Sequence, residues 1–449
     1  TPIPDVQEEL NDHLNERRRG PWGHDIQLTL DAAVQAHTFH VLAAETRKLD
    51  AREPEVIHHA SAVVLGPRND VIAVAQWPDP GSITTVQEAI DYKQEQRELP
   101  LDAPGLDAFQ RRTTMGSTIK LLTMIAAFRH KEDTLLNDDG RWYLNARDDP
   151  PNASRGRYIE RGGSLRSWRG QAIAPIHNYG KARFGKVVPL RTLLVDSLNT
   201  GAAYMGLNVG RSRYEQLFTD IGLTTTIDLL PGELHRSGTY GHLIHRYRRD
   251  AASALPVSIG AIPKGEPWTP SLTARLPLSG LSDYSVMTTA LGASIVARNG
   301  LYWPPRLVQG MRDRRTQARI HFAPSQPVRI LDPQDAETIT SYMKDVIRRG
   351  TGGGYRWKLP REVWMRTGGK TGTGETVVPI DPDAVYTRAD KPPTRDNKAF
   401  VAVWPTDSPQ PFVVTVVFEQ ISHLDKGVAV RAAQQIMEGV RHSLAPNKE

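Results

Sequence analysis

Residues 111–128 read RRTTMGSTIKLLTMIAAF, with a serine and a lysine three residues apart at the head of an almost wholly apolar run. Ile119, Leu121, Leu122, Met124, Ile125, Ala126, Ala127 and Phe128 leave almost no polar face, which predicts a central, buried helix that begins at Ser117. A lysine one turn into such a helix is costly to bury as a cation, so Lys120 must pair, reach water or lose its proton. Residues i and i+3 share a helix face, which puts the Lys120 nitrogen within reach of the Ser117 oxygen. Desolvation lowers a lysine pKa and makes the amine a candidate general base. The helix start adds positive potential and unpaired N–H groups around the serine. The same residues also read as an N-cap serine followed by a lysine that snorkels to the surface. S-x-x-K is a short and common pattern, so the rest of the chain has to decide.

Upstream, residues 1–27 read as a tail or linker. DIQLTLDAAVQAHTFHVLAAETRKL then predicts a helix with Asp31 near its start. HHASAVVL, GPRND and VIAVAQW give strand, turn, strand. From about 80 to 360 helical patterns dominate, at 117–129, 189–198, 201–209, 282–299 and 334–349. Residues 131–187 are rich in Pro, Arg and Gly and read as an irregular surface insertion. Strand signals return in VWMRTGGKTGTGE, KAFVAVW and PFVVTVVFEQ, with a polar loop insertion at about 374–397, and GVAVRAAQQIMEGVRHSL closes the chain as an amphipathic helix. This order predicts an α+β fold. One antiparallel sheet forms from both ends of the chain, the terminal helices cover one face and the helical block docks on the other.

The chain has 449 residues, 39% apolar and 24% charged, a globular composition. It contains no run of about 18 apolar residues, so no membrane span is expected. The opening, TPIPDVQEELNDHLNERRRG, is polar and does not read as a signal peptide. Cysteine is absent, which excludes disulfides, thiolate catalysis and cysteine zinc sites. The net charge of +6 comes with 42 Arg and 14 Lys. A basic surface suits an anionic polymer such as cell wall, or anionic lipid. Without a dense basic helix or a basic patch interleaved with aromatics, nucleic acid is not expected as a partner.

Two further stretches bear on Ser117. In LRTLLVDSLNTGAAYMGLNVG, Ser197 and Asn199 sit where one apolar helix ends and another begins, so a hydroxyl and an amide can point together into a cleft; simple capping is the other reading. In TGGKTGTGE, Lys370, Thr371, Gly372 and Thr373 sit on a predicted strand. Its glycines allow close approach of another backbone, and its ammonium and hydroxyls suit a carboxylate. A glycine-rich edge protected by a lysine is the alternative.

The set S-x-x-K, S-x-N and K-T-G, in that order, resembles the penicillin-binding proteins and serine β-lactamases. IQLTLDAAVQ, SAVVLGPRNDVIAVAQWPDP and APIHNYGKARFGKVVPLRTLLVDSLN extend the likeness to penicillin-binding transpeptidase domains, closest to the class A type, over about residues 27–443. The sequence departs from that pattern at Leu121, where a proline is common, and at NKAF, which lacks the usual tryptophan. No glycosyltransferase sequence precedes residue 27, which suggests a monofunctional relative or an excised domain. The resemblance implies a β-lactamase/transpeptidase-like fold with a five-stranded antiparallel sheet, and a transpeptidase domain over 28–445.

The resemblance also implies a D,D-transpeptidase that cross-links peptidoglycan stem peptides ending in D-Ala-D-Ala through an acyl-serine, inhibited by β-lactams. Ser117 would be the nucleophile and Lys120 its base. Ser197 would relay the proton, with Lys370 as the nearby charge. Asn199 would hold the substrate amide, backbone N–H groups of Ser117 and Thr373 would form the oxyanion hole, the Thr371 and Thr373 hydroxyls would bind the terminal carboxylate, and Gly372 between them would belong to the substrate-binding edge. No cofactor or metal is implied. An extracytoplasmic, periplasmic location, tethered to the cytoplasmic membrane by a segment outside this sequence, and a glycosyltransferase or wall-synthesis complex as partner are expected.

Three rivals share parts of this pattern. A D,D-carboxypeptidase differs only in using water as acceptor. A class A β-lactamase needs an E-x-x-x-N loop, and here Glu233 is followed by Ser237. A sensor or scaffold would bind wall peptide without turnover. His235, His242 and His245 carry one H-x-x-H spacing but read as a basic surface loop rather than a metal site.

Overall fold

The computed structural model describes residues 24–53, 56, 58–77, 113–130, 164–168, 170–179, 190–223, 227–228, 256–257, 268–279, 284–313, 317, 319–355, 358–377, 394–421 and 425–444. In chain order the elements used below are β1 (His24–Leu28), α1 (Ala32–Asp50), β2 (His59–Leu65), β3 (Val71–Trp77) and α2 (Lys120–Arg129). They continue with β4 (Ser164–Trp168), β5 (Gln171–His177), α3 (Leu190–Val195), α4 (Asn199–Asp220), α5 (Pro270–Arg275) and α6 (Val286–Ala297). Last come β6 (Val308–Asp313), β7 (Arg319–His321), α7 (Pro333–Arg348), β8 (Gly368–Val377), β9 (Thr394–Trp404), β10 (Phe412–Ile421) and α8 (Val428–Leu444).

The central sheet has five antiparallel strands in the order β8-β9-β10-β2-β3, so both ends of the chain build it. Register and the two-residue side-chain period divide its faces. Phe400, Val416 and Ala62 align across the strands and pack with Val34, Leu42, Ala433 and Ile436 of the two terminal helices. Val401 and Val63, one residue along, pack instead with Ile125, Leu291 and Ala293 of the helical block. Apolar side chains on both faces explain why β2 and β10 read as nearly continuous hydrophobic runs. The amide ladder positions β8 at the sheet edge beside the helical block, and the candidate site lies along that seam.

Several boundaries differ from the sequence reading. Residues 24–28 form β1, paired with Val308–Asp313, rather than the end of a tail and the start of a helix. The helix itself begins at Ala32, because Asp31 caps it by accepting a hydrogen bond from the Val34 N–H at 2.9 Å. Part of the stretch expected to be irregular forms the β4–β5 hairpin. The loop expected at 374–397 is shorter, since β8 continues to Val377 and β9 starts at Thr394. The helix expected at 201–209 does run to that point and then bends at Gly210, at φ +72, before continuing to Asp220. Glu233, His235, His242 and His245 lie outside the described residues. Among the described residues, no helix is long and apolar enough to cross a membrane.

Candidate active site

Ser117 is half-buried in a 3₁₀ turn, Gly116–Ile119, that leads into α2. Gly116 has φ +54, and a Cβ there would stand 2.3 Å from the Thr373 carbonyl oxygen. The strand answers with its own glycines: a Cβ at Gly374 would meet the Thr114 carbonyl at 2.3 Å, and one at Gly372 the Met115 carbonyl at 2.4 Å. Thus β8 lies flush against residues 114–118 because glycines stand at the points of closest backbone approach, Gly116 on the turn and Gly372 and Gly374 on the strand. The side of Gly372 where a Cβ would stand is filled by Met115 and Thr118 of the same chain, so this glycine serves the chain's own packing. Residues 114–118 and the edge strand thus adjoin directly, with Ser117 and Thr373 on the two facing segments.

Lys120 is completely buried. Its Nζ donates to the Ser197 carbonyl at 2.7 Å and to Asn199 Oδ1 at 2.7 Å, and lies 3.1 Å from Ser197 Oγ. Lys370, also completely buried, approaches the same hydroxyl from the other side: its Nζ is 2.9 Å from Ser197 Oγ and 2.8 Å from the Thr371 carbonyl. Burial and the neighbouring Lys370 push the Lys120 pKa well below that of an ordinary lysine. Burial brings Lys370 down to about 7. A neutral Lys120 fits these contacts. Two N–H groups meet the carbonyl and amide oxygens, and the lone pair faces Ser197 Oγ, which can donate to it while accepting from Lys370.

One sequence expectation is not met in this arrangement. Among the described residues no hydrogen bond joins Ser117 Oγ to Lys120 Nζ. The 3₁₀ turn does stack residues three apart, so the two side chains share a side, but three oxygens of residues 197 and 199 draw the amine away.

Ser197 holds its place at φ +58, a left-handed conformation that costs a non-glycine residue about 1 kcal/mol or more. Asn178, which sequence reasoning left without a role, stabilises the turn: its Oδ1 accepts from the N–H of Asn199 at 2.8 Å, the N–H of Thr200 at 3.1 Å and the hydroxyl of Thr200 at 3.2 Å. It thereby caps α4 from a distant loop, because Leu198 at the N-cap position has no side-chain oxygen to do so. Asn199 Nδ2 donates to the His177 carbonyl at 2.9 Å, so its amide is engaged on both sides.

Thr371 is half-buried and its hydroxyl lies 2.7 Å from that of Thr351, a second residue the sequence did not single out. Thr373 is exposed, 3.5 Å from Lys398 Nζ, which pairs with Asp396 at 2.6 Å. Asn397, in the NKAF segment, donates to the hydroxyls of Thr113 at 2.7 Å and Thr114 at 2.9 Å and so fixes the segment that precedes Ser117. Among the described residues no group of three His, Asp or Glu side chains is placed to hold a metal ion. The arrangement therefore brings together a half-exposed hydroxyl, two buried amines of lowered pKa, a bridging hydroxyl and a glycine-spaced edge strand.

The penicillin-binding protein transpeptidase domain family matches residues 158–438, which include Ser197, Asn199 and Lys370–Thr373 and begin after Ser117 and Lys120. Penicillin-binding protein PbpB of Mycolicibacterium smegmatis is 23% identical over 364 residues, 80% of this chain and 46% of that protein, so the chain spans about half the length of this curated relative. Among solved structures, penicillin-binding protein A of Mycobacterium tuberculosis, as a ceftriaxone acyl-enzyme complex, superimposes with a TM-score of 0.65 at 16% identity, covering 97% of this chain and 83% of that one. Penicillin-binding protein 3 of the same organism, complexed with ampicillin, gives 0.63 at 18% identity, with 94% and 79% covered. The match to the family model over more than half its length, on the fold and site just described, makes this chain a member of the penicillin-binding protein transpeptidase family.

Proposed function

We propose that the chain is a D,D-transpeptidase that acylates itself with a stem peptide ending in D-Ala-D-Ala and passes the acyl group to the amine of a second stem peptide. The observation that carries this reading is the chain of two buried amines, Lys120 and Lys370, on the Ser197 hydroxyl, beside the half-exposed Ser117. When the substrate amide N–H takes Asn199 Oδ1, Lys120 Nζ loses one of its three partners and can turn one helical step toward Ser117 Oγ. The neutral amine then accepts the Ser117 proton as Oγ attacks the penultimate D-Ala carbonyl. The oxyanion forms against the Ser117 and Thr373 N–H groups, each such donor worth about 3 kcal/mol. As the C–N bond breaks, Ser197 passes a proton to the departing D-Ala amine and is re-protonated from Lys120. Lys370 stabilises the developing charge on Ser197, and Thr371 and Thr373 hold the terminal carboxylate. An incoming amine, by the reverse steps, releases Ser117 and completes the cross-link. The β-lactam complexes of the structural neighbours support acylation by the same drugs here. The substrate, by its nature, places the domain on the outer side of the cytoplasmic membrane, working beside a glycosyltransferase that supplies the glycan strands.

Incubation with a D-Ala-D-Ala-ended stem-peptide mimic and an amine acceptor should release D-Ala and give the amide-linked product. Release without linkage would mark a carboxypeptidase. Acylation without either product would mark a sensor and overturn the proposal.

A further inference from the structure

Thr351 is the second residue of the glycine-rich loop that follows α7, residues 350–354, GTGGG. The loop is pinned between two parts of the site. Its Thr351 N–H donates to the Val195 carbonyl at 3.1 Å, two residues before Ser197. Gly350 sits so close to that carbonyl that a Cβ would stand 2.4 Å from it. On the other side, the Thr351 hydroxyl lies 2.7 Å from the Thr371 hydroxyl. The loop backbone folds on itself through the Gly352 N–H to the Val346 carbonyl at 2.9 Å and the Gly353 N–H to the Gly350 carbonyl at 2.9 Å, so Thr351 has little freedom to move.

Two hydroxyls at hydrogen-bond distance share one proton between them, and the direction decides what the other can do. If Thr371 donates to Thr351, Thr371 has no proton left for a ligand. If Thr351 donates to Thr371, the Thr371 proton is free to point out of the pair, and its bond to an anion is strengthened by the one behind it. A carboxylate arriving at Thr371 selects the second direction, because an anion accepts and never donates.

We propose that Thr351 is a positioning residue that turns the Thr371 hydroxyl toward the terminal carboxylate of the substrate, and so contributes to selection for substrates with a free carboxyl end. This inference rests on the transpeptidase reading above. It touches neither the scissile bond nor the proton path, so it is separable from that reading by experiment.

The test compares second-order acylation constants for benzylpenicillin and its methyl ester, which differ only in the carboxylate charge. Thr351→Val keeps the shape and removes the hydroxyl. It should lower the acid-to-ester preference about fivefold, the worth of one hydrogen bond, while the ester rate changes less than twofold. Thr351→Ser, which keeps the hydroxyl, should restore the preference. An equal loss for acid and ester would make the threonine pair a structural tie between loop and strand. An unchanged preference would also overturn the inference. If the wild-type protein is acylated by neither compound, the transpeptidase reading itself has failed, and the wild-type arm alone shows it.

Discussion

Two amine nitrogens end 3.1 and 2.9 Å from one hydroxyl, Ser197 Oγ, with no water-facing surface on either lysine. Two ammonium ions that close repel one another, and burial penalises both, so at neutral pH at least one amine is uncharged. The sign of the pH dependence follows from the separate tasks. Lys120 has to be neutral to accept the Ser117 proton, so acylation rises as Lys120 deprotonates. Lys370 has to be charged to stabilise Ser197, so acylation falls as Lys370 deprotonates, at about pH 7 instead of near an ordinary lysine's 10.5. A bell-shaped profile of benzylpenicillin acylation with its alkaline limb within about a unit of pH 7 is expected. A rate that stays flat up to pH 9 would show that the Lys370 charge is not needed. Ser117 and Lys120 were legible as residues, since a lysine in an apolar helix demands an explanation. The partner of the Lys120 amine was not legible: three oxygens about eighty positions away compete for it, and their nearness is a product of the fold.

At the scale of elements, β8 is both an edge of the sheet and a wall of the site. It meets residues 114–118 through Gly116, Gly372 and Gly374, which let the two backbones approach closely. The methyl group in Gly374→Ala would have to stand 2.3 Å from the Thr114 carbonyl, so the strand must move off the Ser117 turn. This should cost about 1–3 kcal/mol of stability, read as a lower urea midpoint, and slow acylation tenfold or more. Gly354→Ala makes the control, because nothing lies within 4 Å of a Cβ there. It should leave the midpoint within about 0.5 kcal/mol equivalents of the wild type and the acylation rate unchanged. Equal behaviour of the two variants would show that strand and turn are not tightly packed. The strand and its glycines were visible in TGGKTGTGE, but their use was read outward, toward a ligand, when two of them serve the chain's own packing. The Asn178 cap was invisible for a related reason. A helix start is normally read from its own N-cap, and here the cap comes from a residue 22 positions before Thr200.

For the whole molecule, the element order alone implied a sheet closed by both chain ends. Continuous apolar strands could only be covered from two sides, and the helical patterns available were two terminal helices and one central block. The terminal helices are in fact tied to each other by Arg431 of α8, which meets the nearly buried Glu45 of α1 at 3.0 Å and Asp425 at 2.8 Å. What the sequence did not yield were the pairing of the distant β1 and β6 and the local β4–β5 hairpin, because the apolar pattern is weak in these short strands. The claim on which the account depends concerns one residue out of 449. Intact-mass measurement after exposure to benzylpenicillin, followed by peptide mapping, tests it across the entire chain at once. One equivalent of penicilloyl adduct is expected, on the peptide that carries Ser117, and Ser117→Ala should carry none while remaining folded. An adduct on any other residue, or a wild-type protein that stays unmodified, would contradict it.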